Sequence, residues 1–386
     1  MFKKILCVLM AVAMIVCLFA ACGGNEDAGK KDANTFMIGS IGPTTGDAAI
    51  YGQAVMNAAQ LAVDEINAAG GINGYQVEFK PADDEHNAEK SVNAYNDLKD
   101  WGMQILLGTV TSAPCIAVVE EAHNDNMFML TPSGSAVDCI KYDNAFRVCF
   151  SDPNQGIASA DYIAEQKLGT KIAVIYNSSD AYSSGIYEKF MAEAKVKGLN
   201  VVAEGAFTAD TKTDFTVQLQ QAKTAGADLL FLPIYYQEAS LILAQADKMG
   251  YAPAVFGVDG MDGILTLENF DTKLAEDVML LTPFAADAQD DLTKKFVDAY
   301  KAKYNEIPNQ FAADAYDGIY IIKAAIEKAN ATPAMSTEEL CNAIKGAMTQ
   351  ITVDGVTGLQ MTWTADGEPN KAPKGMKIQN GAYVAM

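Results

Sequence analysis

The chain has 386 residues, half of them hydrophobic and a fifth charged. At roughly 100–200 residues per domain this predicts two folded domains with buried cores and excludes a chain disordered throughout. A formal net charge of −21 argues against a nucleic-acid binder, which needs a basic face, and two histidines, His86 and His123, are too few for a three-histidine zinc centre.

Lys3 and Lys4 precede an apolar run from Ile5 to Ala21, shorter than the ~20 residues of a spanning helix. A basic start, an apolar middle and small residues at the end read as a secretory signal peptide over 1–21. Leu18-Phe19-Ala20-Ala21-Cys22, followed by Gly23-Gly24, resembles a bacterial lipobox. That motif implies cleavage before Cys22 and a lipid on its sulfur, although Phe19 departs from the usual aliphatic residue. The plainer alternative is an uncleaved anchor helix with an incidental cysteine. Residues 22–34 are small and polar, the composition of a flexible tether.

From Phe36 short apolar runs alternate with helical periods. Strands are predicted at Phe36–Ile41, Gln76–Lys80, Gln104–Gly108 and Met127–Leu130. Between them fall helices: one carrying Val55, Ala58, Ala59, Ala62 and Ile66 and stopped by Gly70-Gly71, one at Ala88–Asp100, and one at Ala113–Asn124 with Pro114 in its first turn. A second series follows Asp152-Pro153. Its strands are Lys171–Tyr176, Asn200–Phe207, Leu229–Leu232 and Ala254–Val258, and its helices Gly185–Lys197, Phe215–Thr224 and Glu238–Met249. Strands alternating with helices predict doubly wound, mostly parallel sheets, one per series, and all-apolar strands such as Ile172-Ala173-Val174-Ile175 suit burial on both faces. After Thr282-Pro283 the pattern is helical (Leu292–Tyr304, Phe311–Ala329, Thr337–Ala347), then β-like at Gly358–Thr362 and Met376–Ile378. Cys115, Cys139, Cys149 and Cys341 form no disulfide framework and no CxxC pair; Cys139 and Cys149 either bridge in an oxidising compartment or remain buried thiols.

Several motifs sit at the joints of this pattern. Ile41-Gly42-Pro43-Thr44-Thr45-Gly46 leads through Tyr51-Gly52 to Asp64-Glu65-Ile66-Asn67-Ala68-Ala69-Gly70-Gly71-Ile72-Asn73-Gly74. Asp83-Asp84 follows the second strand, Gly108 to Ser112 ends the third, and Thr131-Pro132-Ser133-Gly134-Ser135 follows the fourth. Asp152-Pro153-Asn154-Gln155-Gly156, Asp180-Ala181-Tyr182-Ser183-Ser184-Gly185 and Asp259-Gly260 come later. In this order and spacing the set resembles the type I periplasmic binding proteins for branched-chain amino acids, over essentially all of the mature chain. The resemblance implies two α/β lobes joined by three crossing segments near 151, 282 and 356. The first lobe is then 35–151 with 283–355 and the second 152–282 with 356–386.

Ligands of open α/β sheets sit beyond the carboxyl ends of the strands, at helix N-termini. Ser112 lies there; read alone it is a helix cap or an anion site, and the resemblance implies that it holds the carboxylate of an amino acid. By the same resemblance Ser133 offers a backbone carbonyl and Ser135 a hydroxyl, where classical relatives carry threonine; a generic polar turn is the alternative. Asp259, after the strand Ala254–Val258, suits an ammonium group, and stands where the best-known relatives have glutamate. Asp262 is less well placed by the motif. Tyr51, Tyr182, Tyr235 and Phe311 align with aromatic walls of the ligand pocket, and Val110 and Thr111 with its side-chain end. His86 and Thr111 stand where some relatives have a disulfide.

The expectation is therefore an extracytoplasmic, lipid-anchored monomer that binds leucine, isoleucine or valine between its lobes and passes it to an ABC permease, without cofactor, metal or nucleic acid. An enzyme on the same scaffold is disfavoured by the lack of a G-x-S-x-G elbow, metal cluster or P-loop. A sensor component is the other alternative; it would need a separate partner, since no later stretch is apolar enough to span a bilayer.

Overall fold

The computed structural model describes Asn34–Met386; the stretch read as a signal peptide, Cys22 and nearly all of the expected tether lie outside the described residues. In chain order the first half of the molecule contains β1 (Thr35–Gly42), α1 (Ala49–Ala68), β2 (Gln76–Asp83), α2 (Ala88–Trp101), β3 (Ile105–Gly108), α3 (Ser112–Asn124), β4 (Phe128–Thr131) and β5 (Ala145–Arg147). The strands form one all-parallel sheet in the order β2-β1-β3-β4-β5. The central strands β3 and β4 are buried along their whole length, which is why they read as unbroken apolar runs.

The chain then enters α4 (Asp152–Gln166), β6 (Ile172–Asn177), α5 (Ala181–Lys197), β7 (Val201–Phe207), α6 (Thr216–Ala225), β8 (Leu229–Leu232), α7 (Tyr236–Lys248), β9 (Ala254–Gly257) and β10 (Met279–Thr282). From here it returns through α8 (Asp291–Tyr304), α9 (Gln310–Ala329) and α10 (Thr337–Met348), of which α9 packs on α1 and α10 on α9 and β4. Finally β11 (Lys374–Gln379) and β12 (Ala382–Ala385) close the second sheet, in the order β12-β11-β10-β9-β8-β6-β7. That sheet is parallel from β7 to β10 and antiparallel at the β10-β11-β12 edge.

Three differences from the sequence pattern have physical causes. The crossing at Asp152-Pro153 is a helix start: Ser151 accepts a hydrogen bond from the Asn154 amide, and Pro153 occupies the first turn, where its missing N–H costs nothing. Gly156 lies where α4 meets α5 so closely that a Cβ would fall 2.6 Å from the Ile186 carbonyl oxygen. Gly358–Thr362 forms no strand beyond a single bridge between Val353 and Met361. Its neighbourhood is held instead by side chains: the Val356 and Thr357 amides each donate to the Asp317 carboxylate at 2.9 Å. The chain therefore does not leave the first sheet's side near 356. Lys371 pairs with Asp314 on α9 at 2.9 Å, Trp363 Nε1 donates to the Arg147 carbonyl at 2.8 Å, and the second sheet is rejoined only at β11. β5, β10 and β12 are strands that the sequence pattern did not mark.

All four cysteines among the described residues are free and buried. No described helix is long and apolar enough to cross a membrane.

Candidate functional site

β3, β4 and β9 all end at one interlobe cleft. On the first-sheet face, α3 begins at Ser112, and its first amides lack partners within the helix, as at any helix start. The Ser112 hydroxyl does not cap its own helix. It accepts from the Ala136 amide, 3.2 Å away in the loop after β4. That loop is bolted to the loop after β3. Ser133 Oγ donates to the Val110 carbonyl at 2.6 Å, and Thr131 Oγ1 to the Thr109 carbonyl at 2.6 Å. Beneath them the fully buried Arg147 guanidinium donates to the carbonyls of Ser135 and Ala136. Ser133 lines the cleft with its hydroxyl so engaged.

On the opposite face Asp259 is buried (4% exposed) just past β9. The Tyr182 hydroxyl donates to its carboxylate and accepts from the Gly260 amide at 2.8 Å. The Asp259 backbone is held from two further directions: its amide donates to Gln155 Oε1 at 3.1 Å, and its carbonyl accepts from Gln310 Nε2 at 2.6 Å. Burial pushes the Asp259 carboxyl up to about 7, against the hydrogen bond from Tyr182. Burial likewise raises the Tyr51, Tyr182 and Tyr235 phenols, which therefore act as neutral donors and acceptors.

Aromatic rings fill the space between. Tyr182 and Tyr235 stack at 4.7 Å and 7°. Tyr51 on α1 lies 4.2 Å from Phe311 at the start of α9, and its hydroxyl crosses the cleft to the Gly260 carbonyl and the Tyr236 amide. His86 Nδ1 is 2.9 Å from Thr111 Oγ1, and the ring meets Tyr235 edge-on at 5.4 Å. The two positions that stand in place of a disulfide are thus in direct contact. Burial lowers the His86 imidazole to about 4, so the ring is neutral at physiological pH. At the mouth of the cleft Lys212 spans the gap, pairing with Asp47 at 2.6 Å and approaching Glu238 at 3.9 Å.

These groups surround a small cavity of about 10 Å³. Tyr51, Val110, Thr111, Ser112, Ser133, Tyr182, Tyr235, Asp259 and Phe311, all singled out in the sequence, line it. Ser135 does not. Its carbonyl accepts the Asp152 amide at 2.9 Å, and its hydroxyl is buried beside the Asp152 carboxylate. Gly260 lines the cavity without having been singled out, although it belongs to the quoted Asp259-Gly260 motif. Gln155, within Asp152–Gly156, and Gln310 support Asp259 unforeseen. Gln310 carries no motif, so only contact reveals it. Asp262 lies outside this cavity. Among the described residues no group of three or more His, Cys, Asp or Glu is placed to hold a metal ion.

The cleft thus has hydroxyls and a helix start at one end, a buried carboxylate at the other and aromatic walls between. Residues 35–382 match the periplasmic binding protein family, and the chain belongs to it. It is 31% identical to Leu/Ile/Val-binding protein homolog 3 of Brucella melitensis, over 81% of this chain and 84% of that one. It is 30% identical to the leucine-, isoleucine-, valine-, threonine- and alanine-binding protein of Pseudomonas aeruginosa, over 80% and 82%. The fold superposes with a TM-score of 0.82 on the branched-chain amino acid transporter substrate binding protein LivJ of Streptococcus pneumoniae in complex with isoleucine, at 30% identity, covering 91% of this chain and 98% of that one. A solute binding protein of R. palustris in complex with benzoate superposes at 0.81 but is only 18% identical, with 91% and 95% covered, and shares the fold alone. Site chemistry must therefore decide the ligand.

Proposed function

We propose that this protein binds a zwitterionic amino acid with a branched aliphatic side chain in the interlobe cleft and delivers it to an ABC importer. The observation that carries this reading is the buried Asp259 carboxylate facing Ser112 and the start of α3 across a pocket walled by Tyr51, Tyr235 and Phe311. The ligand carboxylate docks on Ser112 and the free amides of α3, where a helix N-terminus favours an anion. The ammonium group docks on Asp259 and the Ser133 carbonyl; a charge-assisted hydrogen bond is roughly twice as strong as a neutral one. The side chain lies toward Val110 and Thr111. Tyr182 and Tyr235 cover the ligand as the lobes close about their hinge, and closure is favoured because the ligand touches both faces only in the closed form.

In this reading the lobes follow the two sheets, with residues 356–371 joined to the first lobe by their bonds to Asp314, Asp317 and Arg147. A lipid on Cys22 tethers the body to the outer face of the membrane; labelled-palmitate incorporation that survives Cys22→Ala would remove that part. Calorimetry against the twenty amino acids tests the ligand class. Tight binding of leucine, isoleucine or valine is expected, and a preference for an anion without an ammonium group would overturn the reading.

A further inference from the structure

At the mouth of the cleft three charged side chains meet across the gap between the two halves. Asp47 belongs to the loop between β1 and α1, on the first-sheet side. Lys212 follows β7, and Glu238 lies in the first turn of α7, both on the second-sheet side. Lys212 Nζ is 2.6 Å from Asp47 Oδ2 and 3.9 Å from Glu238 Oε1. The lysine thus makes its short contact across the gap and its long contact within its own half. Glu238 is 6% exposed, so water screens its charge far less than that of Asp47, whose side chain is 58% exposed.

A glutamate in the first turn of a helix is stabilised by the helix itself, and that alone would make Glu238 a structural residue of α7. The arrangement around it goes further. Two carboxylates from opposite halves share one lysine, so like charges face each other with a single cation between them. Burial pushes the Glu238 carboxyl up to about 7; Asp47 and Asp180 add to the rise, while its own backbone amide and Lys212 oppose it. When the halves part, Asp47 leaves with the first half and Glu238 stays beside Lys212.

We propose that Glu238 is a positioning residue that regulates release from the cleft, acting through Lys212 as a counterweight to the Asp47 latch; this rests on the reading of the cleft as an amino-acid site that closes. Two contributions have the same sign. In the closed form Glu238 repels Asp47, and in the open form it takes up the lysine that Asp47 has left. Both favour opening, and both vanish when Glu238 is protonated. The closed form holds that proton more tightly, because Asp47 is then near, so falling pH favours closure. The other groups around the cluster change charge elsewhere. Asp180 is raised by burial to about 6. The His86 ring is lowered by burial to about 4, and the Tyr51 and Tyr236 phenols are raised by burial, so all three are neutral near pH 7. Lys212 stays charged: burial lowers its ammonium, but the bond to Asp47 and the charge of Glu238 outweigh that and raise it.

The test counts closed and open molecules of the ligand-free protein by single-molecule energy transfer. Dyes are attached through azide-bearing residues at two exposed positions, Asn96 on α2 and Val196 on α5. At pH 8.5 Glu238→Gln should raise the closed-to-open ratio about twofold to fivefold, the range of a partly exposed ion pair. Leucine release in stopped-flow should slow by the same factor. In an Asp47→Asn background Glu238→Gln should change neither quantity. In the unsubstituted protein the ratio should rise as pH falls from 8.5 to 6.5, and Asp47→Asn should remove most of that rise. A ratio unchanged or lowered by Glu238→Gln overturns the proposal. So does an equal rise in the Asp47→Asn background, which would confine Glu238 to a structural role within its own half. If Glu238→Gln does not fold, the pH series decides: a rise that persists in Asp47→Asn overturns the proposal. Leucine that fails to bind defeats the amino-acid reading and leaves the ligand-free counts to judge this one, so the two fail separately.

Discussion

On the first-sheet face of the cleft, the loops after β3 and β4 are fastened to each other by Thr131, Ser133 and Arg147, bonds that lie within one half of the molecule. On the second face, Asp259 is fastened by Gln155 from α4, Tyr182 from α5 and Gln310 from α9, the last arriving from the helices packed with the first sheet. The proposed anion end is thus held within one half of the molecule, whereas the proposed cation end draws on both. A ligand that engages the anion end first and the cation end on closure makes closure conditional on its having both charges.

The largest effect expected from breaking this arrangement is at the cation end. Asp259→Ala strands an ammonium group in a buried pocket, and losing one partner of such a pair costs about 2–5 kcal/mol. Calorimetry should show affinity for the preferred amino acid falling by about thirtyfold to several thousandfold while the thermal transition remains cooperative. Affinity that survives this change defeats the assignment of the ammonium site. At the anion end Ser112→Ala removes one hydrogen bond to a charged group, worth about 1.5–3 kcal/mol. The expected loss is tenfold to somewhat over a hundredfold, smaller because the α3 amides remain. If Ser112→Ala proved the more damaging change, the anion end would be the dominant one.

The pH dependence sharpens the same contrast. Burial holds the Asp259 carboxyl at about 7 in the free protein, and an ammonium ligand requires it ionised. Binding therefore releases a proton below pH 7. Affinity should be flat above that pH and fall by up to about tenfold per unit below it. Calorimetry at pH 6 in two buffers of different ionisation enthalpy measures the proton directly; no proton release would mean that Asp259 is already charged. For the ligand-free fold the sign is opposite. A raised acid binds more protons folded than unfolded between about pH 4 and 7, so its contribution to stability declines as pH rises through that window. The smallest effect is expected at the mouth. Lys212→Ala cuts the pairing to Asp47 across the gap, and a largely exposed pair contributes about 0.2–1 kcal/mol. Ligand dissociation should quicken by no more than about fivefold in stopped-flow, with the difference shrinking at high salt.

Most elements of the two sheets could be read directly, because a doubly buried strand must be apolar throughout and a surface helix must repeat near 3.6 residues. The residues at the carboxyl ends of those strands were legible too, since the βα pattern itself says where strands stop and helices begin. Gln310 was not: nothing in Asn309-Gln310-Phe311 marks it until α9 is seen to reach Asp259. Nor was the placement of 356–371, whose position depends on buried partners, Asp314, Asp317 and Arg147, that are remote in the chain.

Composition and periodicity alone determined that this would be an acidic α/β protein with two parallel-rich sheets, because local patterning reflects which faces are buried; the candidate hydroxyl, carboxylate and aromatic residues came from the resemblance of the motifs to a known family. Only the tertiary structure decided that Ser112 and Asp259 face one enclosed space, that Ser135 is turned away from it, and that Asp262 lies outside it. Those outcomes depend on how two independently patterned sheets are docked. No local period encodes that geometry; it is set by long-range contacts such as Tyr51 to Gly260 and Gln310 to Asp259.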